Sequence, residues 1–340
     1  MMEIPPIDAR KERILRAIID DYVLTALPVG SRTISRKYET SLSSATIRNE
    51  MSDLEELGYL AQPHVSAGRV PSPKAYRLYV NELLAQGGVK QDPEAREFFS
   101  QRVRQMEDVV TSAAQAISEF TRYTAVVMMP KQLDLRVSTL QLIPMPRGAA
   151  LLVIITDTGA IRDTVIRVSE SLDGDGLYAI SRMLTERLAG RTLQEVQEML
   201  GAYSRQIGGD GRVIQGIADL ASQMARQSAT DTVTVGGSHN ILNYPEYSDV
   251  EKARAFLSVL EEKEKLIALL SGSEKAFSVR IGPEMGLPEM ADCSVVTASY
   301  QVGQGHRGFV GVIGPTRMSY GKVLSALSGI GGALSDMLGE

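Results

Sequence analysis

The sequence has no tryptophan, one cysteine and three histidines in 340 residues. One thiol, Cys293, excludes an intramolecular disulfide and reads as a buried small hydrophobe in a reducing compartment. The histidines and the cysteine, spread from His64 to His306, make no Cys/His metal cage, so no metal and no other cofactor is expected. Long apolar runs are missing too. The longest, Ala149 to Ile155, is too short to cross a bilayer and reads as a buried strand, so no membrane partner is expected. Met1 to Arg16 has no apolar signal core, and the expected location is the cytoplasm. No Gly-x-Ser-x-Gly or metal-hydrolase motif and no nucleophile–base pair appears, so catalysis is not expected.

Positive charge is also short. Lys and Arg total 36 against 41 Asp and Glu, a net charge of −5. That argues against a surface coated in positive charge, but leaves room for a basic face on one domain. Hydrophobic residues make up 44% and charged residues 23%, a globular balance that excludes a largely unfolded chain. The length suits about two domains at ~150 residues each.

Ile14, Leu15, Ile18, Ile19, Tyr22 and Val23 form one helical stripe. Leu27-Pro28-Val29-Gly30 ends it, and Ser31 is expected to cap a short helix carrying Ile34 and Tyr38. Ser43 can cap a third helix with Ile47, Met51 and Leu54 inward, stopped by Gly58. Tyr59 to Pro63 is extended, and His64 to Pro71 reads as a loop or hairpin with Gly68 near its tip. Pro73 opens a fourth helix, with Tyr76, Tyr79, Val80, Leu83 and Leu84 on its apolar side. Gln86-Gly87-Gly88 marks a domain boundary near residue 88.

Beyond it the pattern predicts a long helix over 94–121, then strands at 125–129, 139–143, 149–155 and 161–168. Helices follow from Leu172 to about Ser228, broken at Ala189-Gly190 and Gly208-Gly209-Asp210-Gly211. Thr232–Val235 is a strand and Asp249–Leu270 a helix. Strands at 277–281, 293–300 and 308–313 precede a last amphipathic helix. A helical block interrupting a β segment suggests one antiparallel α+β domain with an insertion, the rival being two consecutive domains.

Three short helices, a tight turn before the third, then a hairpin: this is the pattern of a winged helix-turn-helix. With Ile47, Met51 and Leu54 inward, about 100° per residue puts Ala45, Arg48, Asn49 and Ser52 on the opposite face. Arg can grip guanine and Asn adenine with paired hydrogen bonds, and Ala45 can meet a thymine methyl. Ser44 and Thr46 suit phosphate oxygens near the helix N-terminus. From Gly30 to Asn49 there are four basic residues, Arg32, Arg36, Lys37 and Arg48, and one acidic, Glu39. Arg69 in the wing would sit in or beside a minor groove. His64 can read a phosphate or hold the wing, and the latter is favoured. The same pattern fits a small bundle that binds nothing, with Arg48 and Asn49 as a solvated face. An interaction module, or an enzyme with a regulatory winged helix, are the other classes.

Ser44-Ala45-Thr46-Ile47-Arg48-Asn49-Glu50-Met51, Leu57-Gly58-Tyr59-Leu60, Pro63 to Pro71 and Tyr76-Arg77-Leu78-Tyr79-Val80 closely resemble the HrcA family, bacterial heat-inducible transcription repressors. Ile313-Gly314-Pro315-Thr316-Arg317-Met318-Ser319-Tyr320 and Cys293-Ser294 fit the same family. The resemblance runs from about residue 8 to the end. Two positions depart from it: Ala75, where the family usually has Gly, and Met285, where it usually has Asn.

The resemblance implies an α+β multidomain chain. A winged-helix DNA-binding domain would cover 1–88. A GAF-like domain with an antiparallel sheet would cover 89–168 and 231–340, and an inserted helical dimerisation domain 169–230. It also implies a homodimer that binds double-stranded DNA at an inverted-repeat operator, the CIRCE element, ahead of chaperone genes. The chaperonin GroEL keeps such a repressor active until heat diverts it. A ligand-responsive regulator of another regulon, using the GAF-like domain, is the alternative. Gly303, Gly305, Gly308, Gly311 and Gly314, with fourteen methionines, suggest modest packing stability and chaperone-dependent folding.

Overall fold

Asp8 starts the first helix: its carboxylate accepts the N–H groups of Arg10 and Lys11, both at 2.9 Å. That helix is α1 (Ala9–Thr25), followed by α2 (Ser31–Lys37) and α3 (Ser44–Glu56). Short strands β1 (Leu60–Ala61) and β2 (Val70–Pro71) form the wing, and α4 (Pro73–Ala85) closes the headpiece. The computed structural model describes residues 7–65, 67–85, 89–103, 109–130, 135–157, 159, 161–169, 172–204, 211–228, 232–270, 275–303 and 306–339.

Ser43 caps α3 as its sequence predicts, its Oγ accepting the Thr46 N–H at 3.0 Å. Gly58, at φ 78°, follows the end of that helix. Ser31 does not cap α2. Gly30 holds the cap position, and Ser31 is a buried first-turn residue. Gly68 is not at the wing tip either. Arg69 pairs its backbone with Val29, with N–H to O distances of 2.8 Å in both directions. A Cβ on Gly68 would lie 2.4 Å from the Val29 carbonyl oxygen, so only glycine permits this approach. The wing therefore gains a third strand contact at its base.

The rest of the chain runs α5 (Pro93–Val103), α6 (Val109–Thr121), β3 (Thr124–Met129), β4 (Val137–Met145), β5 (Ala149–Thr156) and β6 (Ile161–Arg167). Then come α7 (Gly174–Leu188), α8 (Leu193–Ser204), α9 (Gly211–Ser228), β7 (Thr232–Gly236), α10 (Val250–Glu261) and α11 (Lys263–Leu270). Finally β8 (Phe277–Ile281), β9 (Cys293–Val302), β10 (His306–Pro315) and α12 (Tyr320–Leu338) complete it. The long helix expected at 94–121 corresponds to α5 and α6, with 104–108 outside the described residues. So do most of the glycines expected to break the helical block, at 208–210.

The chain divides into two units. The first comprises Met1–Met129, Val233–Val302 and Arg307–Glu340. Its five-stranded sheet has the order β7-β3-β10-β9-β8. Val127, Val296, Tyr300, Val310 and Val312 join one continuous core with α6, α12 and the headpiece residues Ile14, Ile18, Ile47, Leu54 and Tyr76. On the alternate parity, Val126, Met128, Val295 and Ile313 pack with Phe256, Leu260, Leu266 and Leu269 of α10 and α11. Alternation along each strand thus buries both faces. The departure residues fit this packing: Ala75 is fully buried in α4, and Met285 lies in the second core. The strand glycines are packing devices rather than loose points. A Cβ on Gly308 would lie 2.2 Å from the Tyr300 ring, and one on Gly311 2.6 Å from Leu270.

The second unit comprises Pro130–Thr232 and Gly303–His306. Here β4, β5 and β6 form a sheet of their own, apart from the five-stranded one, although the expected GAF-like range 89–168 takes in strands of both. The reason is local. Arg147 and Gly148, both at positive φ, turn β4 back onto β5, and β5 pairs with β6 through Ile155 and Ile161. The outer edge of β4 is then closed by α7. Leu142 N–H donates to Ser181 Oγ at 2.8 Å and Leu140 N–H to Thr185 Oγ1 at 3.1 Å. An edge satisfied by side-chain hydroxyls cannot recruit a further strand. Leu142, Leu152, Ile154 and Ile166 face α7, α8 and α9 in the core of this unit.

Candidate nucleic-acid interface

The third helix has two faces of opposite character. Ile47, Met51 and Leu54 are buried against α1 and α2, while Ala45, Arg48, Asn49 and Ser52 are exposed. The sequence spacing predicts both sets. Ser44 and Thr46 are half-buried, and the Thr46 hydroxyl lies 2.9 Å from Ser43 Oγ within the cap. Thr46 is thus occupied in starting the helix.

The cations separate into free and tied ones. Arg32 and Arg36 on α2, and Arg48 on α3, are exposed and have no ion-pair partner among the described residues. Lys37 Nζ lies 2.9 Å from Asp21 Oδ1 of α1, and the hydrogen bond to that carboxylate raises the Lys37 pKa. Asp21 is buried and also accepts the Tyr38 hydroxyl at 3.3 Å. Lys37 therefore joins α2 to α1 as well as facing solvent. Arg69 Nε lies 2.8 Å from Glu55 Oε2. Its charge is balanced, where the sequence reading left it free for a groove.

Glu55 and Asp53 are two of the acidic residues near the end of α3. Asp53 lies 3.0 Å from Lys11 Nζ, which also sits 2.9 Å from Glu50 and 3.2 Å from Asp8. The hydrogen bond to Glu50, then those to Asp53 and Asp8, raise the Lys11 pKa. This single lysine fastens α1 to α3. Sequence spacing does not reveal it, because Glu50 and Asp53, the partners on α3, lie far from Lys11 along the chain and leave no local pattern.

The wing loop is held from inside. Gln62 Nε2 donates to the carbonyl oxygens of Val65 at 2.9 Å and Ala67 at 3.1 Å. The His64 carbonyl accepts the Ala67 N–H at 2.9 Å, so His64 holds the loop through its backbone while its side chain is exposed. Val65 is 99% exposed and forms the tip. Between wing and helices lies an open cleft of about 440 Å³, lined by Arg32, Arg48, Gln62, Val65 and Arg69 among others. It brings three of the predicted cations to one concave surface. Ser72 and Lys74 buttress the base: Ser72 Oγ donates to Gly58 O at 2.7 Å and Lys74 Nζ to Leu57 O at 2.8 Å.

No group of His, Cys, Asp and Glu that could hold a metal occurs among the described residues. None of the described helices is long and apolar enough to cross a membrane. Cys293 is buried beside Tyr247, with Sγ to hydroxyl at 2.6 Å, and burial pushes its pKa up to about 12.

Residues 107–324 match the family described as HrcA protein C terminal domain. The heat-inducible transcription repressor HrcA of Acetivibrio thermocellus is 39% identical over 334 residues, covering 95% of this chain and 93% of that one. The protein of the same name from Symbiobacterium thermophilum is 40% identical over 336 residues, covering 97% and 98%. A crystal structure of a hypothetical protein at 2.2 Å resolution superposes with a TM-score of 0.71 over 98% of both chains. At 24% identity it speaks for the fold alone. A family match over most of the length, joined to relatives of this identity, shows that the chain belongs to the HrcA family.

Proposed function

We propose that this protein is a negative regulator of heat-shock gene transcription that works by binding DNA and has no catalytic activity. The observation that carries the reading is the exposed face of α3, Ala45, Arg48, Asn49 and Ser52, opposite its buried stripe. Arg48 and Asn49 read base edges in the major groove, and Arg32 and Arg36 on the preceding helix contact phosphates. Ser44, Thr46, Lys37, His64 and Arg69 form the surrounding contacts, with Arg69 engaging DNA only by exchanging Glu55 for a phosphate.

The operator is an inverted repeat of the CIRCE type, and two-fold DNA requires a two-fold protein. The second unit supplies the homodimer contact, through its sheet at 143–165 beside the helical stretch 169–230 expected to dimerise. Its support is one apolar sheet face, the row Ile143–Leu151–Val165 and the pair Ile155–Ile161, on which Ile143, Ile161 and Val165 are exposed. Within the GAF-like range expected at 89–168 and 231–340, the GAF-like part is the five-stranded sheet and its helices, in 89–129, 233–302 and 307–340, and helices on both sheet faces favour that reading. In the cytoplasm, GroEL holds the repressor in its active state and releases it when heat-damaged clients compete.

Binding to an inverted repeat and to scrambled DNA, titrated with salt and with or without GroEL, tests this. Strong preference for the repeat, weakened by salt and lost in Arg48→Ala and Asn49→Ala with fold and dimer intact, is expected. Unchanged operator affinity in both variants overturns the α3 reading.

A further inference from the structure

Two arginines tie the headpiece to the unit that carries the five-stranded sheet, at two separate places. On α4, Arg77 grips Glu284 with both ends of its guanidinium, Nε to Oε1 at 2.8 Å, and donates to Val279 O of the edge strand β8 at 2.6 Å. Glu284 is pre-set for this, since its carboxylate accepts the Ile281 N–H at 2.9 Å. Beside it, Gly282 brings the turn after β8 against Pro73, the first residue of α4; a Cβ there would lie 3.8 Å from Pro73 Cγ.

The second clamp is at the far end of α1. Arg317, which follows β10, grips Glu246 and donates to Val23 O at 3.2 Å. Val23 lies in the last turn of α1, where carbonyls have no partner within the helix and where α1 carries no basic residue. Arg317 is only 9% exposed and lies over the Tyr244 ring, which stacks on Tyr123 at 5.3 Å. Between the two clamps, Tyr76 of α4 packs on Tyr320 of α12, ring centroids 6.0 Å apart.

One contact point would let the headpiece pivot. One bidentate clamp across the joint and, at a separate place, one arginine-to-carbonyl bond braced by Glu246, with a packed centre between them, define its orientation. We propose that the Arg77–Glu284 pair and the Arg317–Val23 bond, with Glu246 holding Arg317 in place, set the angle of the reading helix to the sheet, and so select the spacing between operator half-sites. This rests on the reading of a dimeric repressor given above. In a two-fold dimer the spacing accepted follows from headpiece orientation, because half-sites must fall on matching turns of the duplex.

The test uses the full chain and a series of inverted repeats whose spacer changes in single base-pair steps over about one helical turn. A single half-site and a scrambled duplex complete the set. The native protein is expected to show one sharp optimum. Arg77→Ala is expected to keep its half-site affinity while its discrimination between best and worst spacers falls about tenfold. Arg77→Lys, which keeps a cation beside Glu284 and a donor for the Val279 carbonyl, is expected to keep most of the sharp optimum. Circular dichroism confirms that each variant is folded. An unchanged spacing profile in folded Arg77→Ala, or an equal loss on every duplex including the half-site, overturns the proposal. A native protein that does not distinguish the repeat from scrambled DNA overturns the repressor reading instead.

Discussion

Arg69 Nε of the wing lies 2.8 Å from Glu55 Oε2 in the last turn of α3. The wing cation and the reading helix thus hold each other, and a phosphate must compete with Glu55 for Arg69. Glu55→Gln removes the competitor. The expected result is tighter binding and a steeper dependence of log affinity on log salt, by about one ion. An unchanged slope would mean that Arg69 does not reach DNA.

Ser43 is the cap on which α3 depends, with its Oγ 3.0 Å from the Thr46 N–H. Ser43→Ala should cost about 1 kcal/mol. The midpoint of urea unfolding, followed by circular dichroism, reads this. Ser43→Asp, which can still cap, should keep most of the stability.

The closed edge of β4 makes a second stability prediction. Ser181→Ala leaves the Leu142 N–H without the partner it has at 2.8 Å, in a buried place. A cost of about 1–3 kcal/mol is expected. Hydrogen exchange at Leu142 should rise in the variant while exchange in β9 and β10 stays as it was.

The apolar row Ile143–Leu151–Val165 serves as the test of self-association. Val165 is 59% exposed, so Val165→Glu should leave the fold intact. Sedimentation should then show a shift from dimer towards monomer, with loss of preference for an inverted repeat over a half-site. A variant that remains dimeric would place the contact elsewhere.

Cys293 should be inert in the folded protein. Its pKa is pushed up to about 12 by burial, and only the thiolate reacts with alkylating agents. At pH 8 iodoacetamide should label it slowly, then completely once denaturant is added. Rapid labelling of the native protein would contradict the buried position beside Tyr247.

Local rules made most of the headpiece readable. Ser43 as cap, Gly58 as terminator and the Ile47–Met51–Leu54 stripe each depend on neighbours within one or two turns, so spacing alone exposes them. The exposed quartet Ala45, Arg48, Asn49 and Ser52 follows from the same geometry. Gly68 was misread for the opposite reason. Its place at the wing base depends on Val29, about forty residues earlier, and no local signal carries that pairing.

The sequence by itself determined the type and rough place of most helices and strands, which face of α3 is wet, and that Cys293 can form no internal disulfide. Those are consequences of periodicity, capping and count. Only the tertiary structure decided that Lys37 and Arg69 are tied to Asp21 and Glu55 while Arg32, Arg36 and Arg48 have no ion-pair partner among the described residues. It also decided that the strands after the headpiece build two sheets, and that Arg77 and Arg317 fasten the headpiece to the unit that holds the five-stranded one. The pairs Asp21–Lys37, Glu55–Arg69 and Arg77–Glu284, and the strand order β7-β3-β10-β9-β8, join residues that are not neighbours in the chain, and their free energy depends on distance in space rather than along it.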